Sequence, residues 1–180
     1  MLQSQRKQSG FSLLELLLVV AVGAVLILAG LGAYKLVSEG NAATQSIRQL
    51  QTLKQQVQQA YQGEASYGTT ANADLTATLQ AMRMLPPDMP LNGTTLRNGF
   101  SSTTTVTAGA ATSQFVITYN GVSRNACVKM GQTYTTANAS DFVSLTINGG
   151  AALTTPNVAN LTTGADGCDA DDNVMVWTFQ

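Results

Sequence analysis

The 180-residue chain contains no histidine. That removes Ser-His-Asp and Cys-His catalysis, histidine-bearing zinc sites and histidine-based pH switching. Charge is scarce as well. Charged residues make up 11% of the chain, against roughly 25% in an average soluble domain. Nine basic and ten acidic residues leave a formal net charge of −1. A nucleic-acid binder needs a clustered basic excess, so no nucleic acid is expected as a partner. There are only two cysteines, Cys127 and Cys168. Neither has a nearby second cysteine or a histidine to activate it, which argues against redox catalysis. No Gly-rich phosphate loop, Walker-type lysine motif or paired catalytic carboxylates appear. No catalytic residue, metal site or cofactor is therefore expected, and the composition leans away from an enzyme.

Apolar residues, by contrast, are plentiful at 44%, and they are unevenly spread. Leu16 to Tyr34 reads LLLVVAVGAVLILAGLGAY, without a single charge. As a helix this run spans roughly 28 Å, close to the hydrocarbon thickness of a bilayer. Arg6 and Lys7 precede it and Lys35 follows. Weighting of positive charge toward the N-terminal side predicts an N-in, C-out orientation. A cleaved secretory signal is the simpler alternative. Its apolar core is roughly 7–15 residues and ends at a small-residue site. This run is longer, and Ala29-Gly30-Leu31 and Leu31-Gly32-Ala33 are poor cleavage sites. A lipoprotein site is excluded because the first cysteine is Cys127. A retained helix is expected. Glu15 stands at its front, and a carboxylate within a membrane span costs roughly 2.5–3.5 kcal/mol on insertion scales. A lone anchor has no need of it.

The string Gly10-Phe11-Ser12-Leu13-Leu14-Glu15-Leu16 resembles the prepilin signature of type IV pilins: a basic leader ending in glycine, a hydrophobic residue, then glutamate four positions on. The resemblance implies a leader over residues 1–10. It implies cleavage between Gly10 and Phe11 by a prepilin peptidase, and N-methylation of Phe11. It assigns residues 11–37 to a helix that sits in the inner membrane and later in a filament core. Losing residues 1–10 removes Arg6 and Lys7, leaving seven basic against ten acidic side chains. Glu15 would pair with the new amine at Phe11, its own or a neighbouring subunit's. A wrong register leaves charge unpaired where water is scarce, so the pair sets axial stagger more than it adds stability. Gly23, Gly30 and Gly32 permit two readings. One is close packing. The other is local melting in the filament, which in the family accompanies a helix-breaking proline; this chain has none before Pro86.

The remaining residues, 38–180, read as a globular domain that includes an amphipathic helix over 38–62. Ala43, Ile47, Leu50, the stem of Lys54, Val57 and Tyr61 recur at helical spacing, with glutamines between them. Gly63 suits a C-cap. Asn72 is expected to cap a short helix with Asp74 in its first turn and Leu75, Leu79 and Met82 on one face. Pro86-Pro87 stops it. Residues 64–100 otherwise read as a connection. Thr103–Thr107 and Gln114–Asn120 predict a hairpin, Val122–Met130 a helix with Ser123 as N-cap and Gly131 beyond its end, and Asp141–Asn148 and Asn173–Phe179 two strands. The class is α+β: a long helical spine packed on an antiparallel sheet. Trp177 and Tyr61, Tyr67, Tyr119 and Tyr134 read as core or surface anchors.

A domain exported past the inner membrane meets oxidising conditions, so Cys127 and Cys168 are expected to form a disulfide, the alternative being two unrelated buried thiols. By resemblance to pilins it would pin a surface loop over 127–168. Tyr119–Cys127 and Tyr67–Phe100 resemble type IVb major pilins of plasmid- or island-encoded pili. The short leader and the start at Phe11 resemble type IVa instead. Asp166, Asp169, Asp171 and Asp172 crowd one turn, and Asp169, Asp171 and Asn173 imitate the start of a calcium loop without its glycine or distal glutamate. A solvated acidic turn is the plainer reading. Asn92, Asn138 and Asn160 begin N-x-S/T triplets that read as loop chemistry. The leading expectation is the major subunit of a type IVb-like pilus, a homopolymer for adhesion, aggregation or conjugative mating. Its partners would be prepilin peptidase and the assembly platform and ATPase. A minor pilin or type II secretion pseudopilin is the second structural reading. A membrane-anchored periplasmic enzyme or binding protein is the reading from another class.

Overall fold

A computed structural model describes residues 12–135, 137–163 and 167–180. Its contacts divide the chain into two units between Ser38 and Glu39. Helix α1 spans Leu13–Ala60 and contributes to both. Leucine, alanine and straight-chain polar residues dominate it, no proline interrupts it, and Ser12 starts it. The Ser12 carbonyl accepts from the amides of Glu15 (3.0 Å) and Leu16 (3.2 Å). The helix ends two residues early relative to the sequence reading. Gly63 lies in the turn that follows, at φ +92°, the left-handed region that suits glycine beyond a helix end.

In the second unit a six-stranded antiparallel sheet covers the later half of α1. The strands are β1 (Leu91–Asn92), β2 (Thr95–Arg97), β3 (Thr103–Ala108), β4 (Phe115–Val122), β5 (Phe142–Ile147) and β6 (Asn173–Phe179). Their spatial order is β1-β2-β3-β4-β6-β5. Thr105 lies opposite Thr118, and Ile117 opposite Trp177. Alternation of period two sends one side of each strand inward. Phe115, Ile117 and Tyr119 from β4, Met175, Trp177 and Phe179 from β6, and Val106 from β3 are all fully buried. Leu50, Leu53 and Val57 of α1 join the same core. Tyr61, Tyr67, Phe115, Phe179 and Tyr134 form a chain of ring contacts with centroids 4.7–5.6 Å apart. The expected anchors are thus core residues, Tyr61 and Tyr67 at its margin.

Several local expectations need correction. The buried face of α1 includes Ser46, Gln49 and Leu53, so it is wider than the stripe read from the sequence, and Gln49 is not on the polar face. The short helix α2 is Thr76–Ala81. Asn72 does not cap it; Asn72 sits in a turn at φ 58°. Asp74 precedes the helix, and its Oδ1 accepts the Thr76 amide at 2.8 Å. Leu75 and Leu79 are buried, but Met82 is exposed. Residues 91–97, read as connection, form the β1–β2 hairpin. Helix α3 is Arg124–Gly131: Val122 stays in β4 and Gly131 lies inside the helix. Ser123 holds the N-cap position without a side-chain bond. Helix α4, Val158–Thr162, has no counterpart in the sequence reading. It is closed by a reciprocal pair in which Asn157 and Asn160 each accept the other's backbone amide, at 3.1 and 2.7 Å. An asparagine at the third helical position does here what glutamate or glutamine does in the usual capping box.

Candidate assembly site

Gly10, Phe11, Arg6 and Lys7 lie outside the described residues. Glu15 falls in the first turn of α1. Its amide also lies 3.4 Å from Ser12 Oγ, so Ser12 and Glu15 stand in the N-cap and third-position register of a capping box. An acid in the first turn is favoured by the helix dipole, which partly answers how the carboxylate is held within one subunit.

Downstream, the large apolar side chains from Leu13 to Val37 are more than half exposed, Leu13 at 81% and Val22 at 52%. Burying one leucine or valine contributes about 1.5–3 kcal/mol, so a row of them bare to water demands lipid or another protein surface. α1 is long and apolar enough to cross a membrane. Beside Gly23, Gly30 and Gly32 an added Cβ would meet nothing within 4 Å. Nothing in the subunit's own packing requires glycine there.

In the second unit, the later half of α1 is fastened to the sheet and its loops by polar contacts. Lys54 Nζ lies 2.6 Å from Asp141 Oδ2, with side chains 13% and 25% exposed. Gln58 Nε2 donates to the same oxygen at 2.7 Å. The Lys54 ammonium also sits 4.9 Å from the Tyr134 ring centroid and 5.3 Å from that of Phe179, a cation–π arrangement. Partial burial raises the Asp141 pKa, but the hydrogen bonds from Lys54 and Gln58 and the Lys54 charge outweigh it, and the carboxyl ends below its ordinary value. Burial first, and the Asp141 charge second, push the Tyr134 phenol up to about 12. Helical spacing flagged Lys54 as half-buried by its stem. Asp141 as its partner had no sequence signal, because the two lie far apart in the chain.

A second fastening uses Gln49. Its Nε2 donates to the Asp88 carbonyl at 3.0 Å, and its Oε1 accepts the Gly99 amide at 3.1 Å. The loop comes so close that a Cβ on Gly99 would stand 2.8 Å from Ser46 Oγ and 3.0 Å from the Ala42 carbonyl oxygen. Helix α3 adds Lys129 Nζ donating to Thr44 Oγ1 at 3.0 Å.

Cys127 on α3 and Cys168 before β6 are joined by a disulfide, their Cα atoms 5.6 Å apart and 41 positions apart in sequence. The Cys168 amide donates to the Leu161 carbonyl at 2.7 Å. The bracketed segment is not a surface loop throughout: it contains β5, an edge strand of the sheet, and α4. Asp166 lies outside the described residues. Asp169, Asp171 and Asp172 are exposed, and among the described residues no cluster of three or more acidic or cysteine side chains could hold a metal. Asn173, the third member of the calcium-like string, is turned inward. Its amide donates to the carbonyls of Val122 and Ala170 at 2.9 and 2.6 Å.

A long helix, apolar and bare at its start and sheet-covered later, followed by an antiparallel sheet with a C-terminal disulfide, is the fold of a type IV pilin. The chain belongs to the PilS N-terminal family, whose pattern matches residues 39–180. Residues 5–31 match the prokaryotic N-terminal methylation motif. The fold is similar to that of a type IVb pilin from Salmonella typhi, with TM-score 0.54 and 23% identity, covering 73% of this chain and 95% of that one. It is similar also to TcpA, a type IV pilin from the Vibrio cholerae El Tor biotype, with TM-score 0.50 and 15% identity, covering 77% and 98%. At these identities the likeness concerns the fold. No curated protein matches the chain. Family and fold define a structural subunit rather than an enzyme, one that prepilin peptidase processes and that polymerises.

Proposed function

We propose that this chain is the major subunit of a type IVb-like pilus. Residues 1–10 form the leader, removed between Gly10 and Phe11; Phe11 becomes the methylated N-terminus; and Glu15 pairs with the amine of a neighbouring copy. The precursor waits in the inner membrane, N-in and C-out, on the helix over residues 11–37, while residues 38–180 form the globular part. Assembly by a platform and its ATPase moves that helix from lipid into the core of an extracellular filament that serves adhesion, aggregation or conjugative mating. The observation that carries this reading is the bare apolar start of α1 with a carboxylate at its head. A simple anchor is satisfied by lipid alone, whereas Glu15 asks for a cation that cleavage creates. The disulfide bracketing β5 and α4 supports the major subunit, since it stiffens much of the globular part. The mature N-terminal mass tests the reading: a methylated Phe11 supports it, and an N-terminus at Met1 or beyond residue 30 would overturn it. The second structural reading is a minor pilin or secretion pseudopilin. It predicts trace abundance in sheared filaments, where a major subunit dominates.

A further inference from the structure

The chain holds four Asn-Gly pairs, at Asn92, Asn98, Asn120 and Asn148. Asparagine before glycine is chemically fragile, because no side chain on the glycine shields its backbone nitrogen from the asparagine carboxamide. The fold ties down three of the four. Asn98 is 6% exposed; its amide donates to the carbonyls of Thr103 and Asn120, and its oxygen accepts from Phe100 and Ser102. Asn120 donates to the Thr103 carbonyl and hydroxyl at 3.2 and 3.0 Å. Asn148 donates to the Gly167 carbonyl and to Asn173 Oδ1 and accepts the Val174 amide. Asn92 differs. Asn92, Gly93 and Thr94 are exposed, and among the described residues no hydrogen bond holds the Asn92 carboxamide. Strand β1 contributes two residues at the edge of the sheet, so local opening there breaks little structure.

We propose that Asn92 is a site of spontaneous, enzyme-free deamidation that converts ahead of the other three Asn-Gly pairs. The Gly93 backbone nitrogen attacks Asn92 Cγ. The N–Cγ bond forms, the Cγ–Nδ2 bond breaks, and ammonia leaves with the proton given up by the Gly93 amide. Solvent water then opens the cyclic imide at either carbonyl, giving aspartate or isoaspartate at position 92. No oxidant or reductant is involved. Each event adds one negative charge to a chain of formal net charge −1, and the isoaspartyl product also lengthens the main chain at the hairpin. Hydroxide promotes the first step by deprotonating the Gly93 amide, so conversion accelerates with pH. In an extracellular polymer each subunit would record its age as charge. That corollary rests on the assembly reading; the site itself rests on the hairpin alone.

The test ages the full-length protein in detergent micelles at mildly alkaline pH and maps tryptic peptides over days. Cleavage after Arg83, Arg97, Arg124 and Lys129 separates Asn92 from Asn98 and Asn120, and these from Asn148. The expected result is a gain of about one dalton confined to residues 84–97, accompanied by isoaspartate and faster as pH rises. Denatured protein should lose this selectivity and convert at all four pairs. Asn92→Gln, a conservative exchange at an exposed position, should abolish the native-state signal. Equal conversion at all four pairs in the folded protein, conversion led by Asn98, Asn120 or Asn148, an unchanged Asn92, or a glycan mass on Asn92 would each overturn the assignment.

Discussion

Asp141→Asn removes the charge that faces Lys54 while keeping an acceptor for Gln58. The magnitude lies between two limits. An exposed ion pair contributes about 0.2–1 kcal/mol, whereas breaking a fully buried one costs about 3–5 kcal/mol because a charge is stranded. With side chains 13% and 25% exposed, this pair stands between them. The rings of Tyr134 and Phe179 hold part of the ammonium's attraction when the carboxylate is gone. A loss of about 2 kcal/mol is expected for Asp141→Asn, and a coupling of about 1–2 kcal/mol in a double-mutant cycle with Lys54→Met, which keeps the apolar stem. Trp177 is the only tryptophan and is fully buried, so its fluorescence reports urea unfolding of the detergent-solubilised protein. The pH dependence follows from the sign of the shift. A carboxyl whose folded pKa lies below its unfolded value stabilises the fold fully above the unfolded value, and this contribution disappears as pH falls through the folded one. The ordinary value is 3.8, so wild type should lose more stability than Asp141→Asn on acidification below that point. A coupling under about 0.5 kcal/mol, or identical acid losses in the two proteins, would refute the claim that the pair is desolvated enough to matter.

Strands β3 to β6 were legible because their alternation is strong: QFVITYN and NVMVWTF each put every second side chain into one core. The early part of α1 was legible for the opposite reason, being apolar on all sides. Two of the failures turn on interactions distant in sequence. Gln49 carries no helical-face signal of its own, yet Asp88 and Gly99 draw it inward by satisfying its amide. Asn72 and Asp74 are equally good N-caps by residue type, but Asp74 pairs with Thr107 as a bridge, which places its carboxylate rather than the asparagine at the start of α2. The β1–β2 hairpin is too short to show a period. Helix α4 is five residues long and begins with a cap pair made of two asparagines, a variant the sequence pattern for capping does not flag. The carboxylate at the head of α1 was legible from its cost alone; its helix-start register with Ser12 was not, because Ser12 was read only as a member of the Gly10–Leu16 string and not as a cap.

Reducing or replacing the Cys127–Cys168 disulfide should cost about 3–4 kcal/mol, since it frees a loop with a separation of 41 residues in the unfolded chain; urea melts with and without reductant measure it. Gln49→Leu should cost about 1–3 kcal/mol by leaving the Asp88 carbonyl and the Gly99 amide without their partner, again read from Trp177 fluorescence. The most discriminating comparison is at position 15. The Glu15 side chain has two duties open to it: as the third helical residue of a capping box it can reach back to the Ser12 amide, beyond the bond its own backbone amide makes to Ser12 Oγ, and it can supply a negative charge to a neighbouring copy's amine. The Glu15→Gln variant keeps the shape and hydrogen-bonding capacity of the first duty and loses the second, whereas Glu15→Ala loses both. If the charge sets subunit register, both variants insert into the membrane and neither forms filaments visible by electron microscopy. Filaments from Glu15→Gln alone would reduce the residue to a helix cap, and filaments from both would remove it from assembly altogether. The lower cost of glutamine in lipid makes the first outcome the informative one: a variant that inserts more easily yet fails to polymerise locates the defect in the filament, where the carboxylate is needed as a charge.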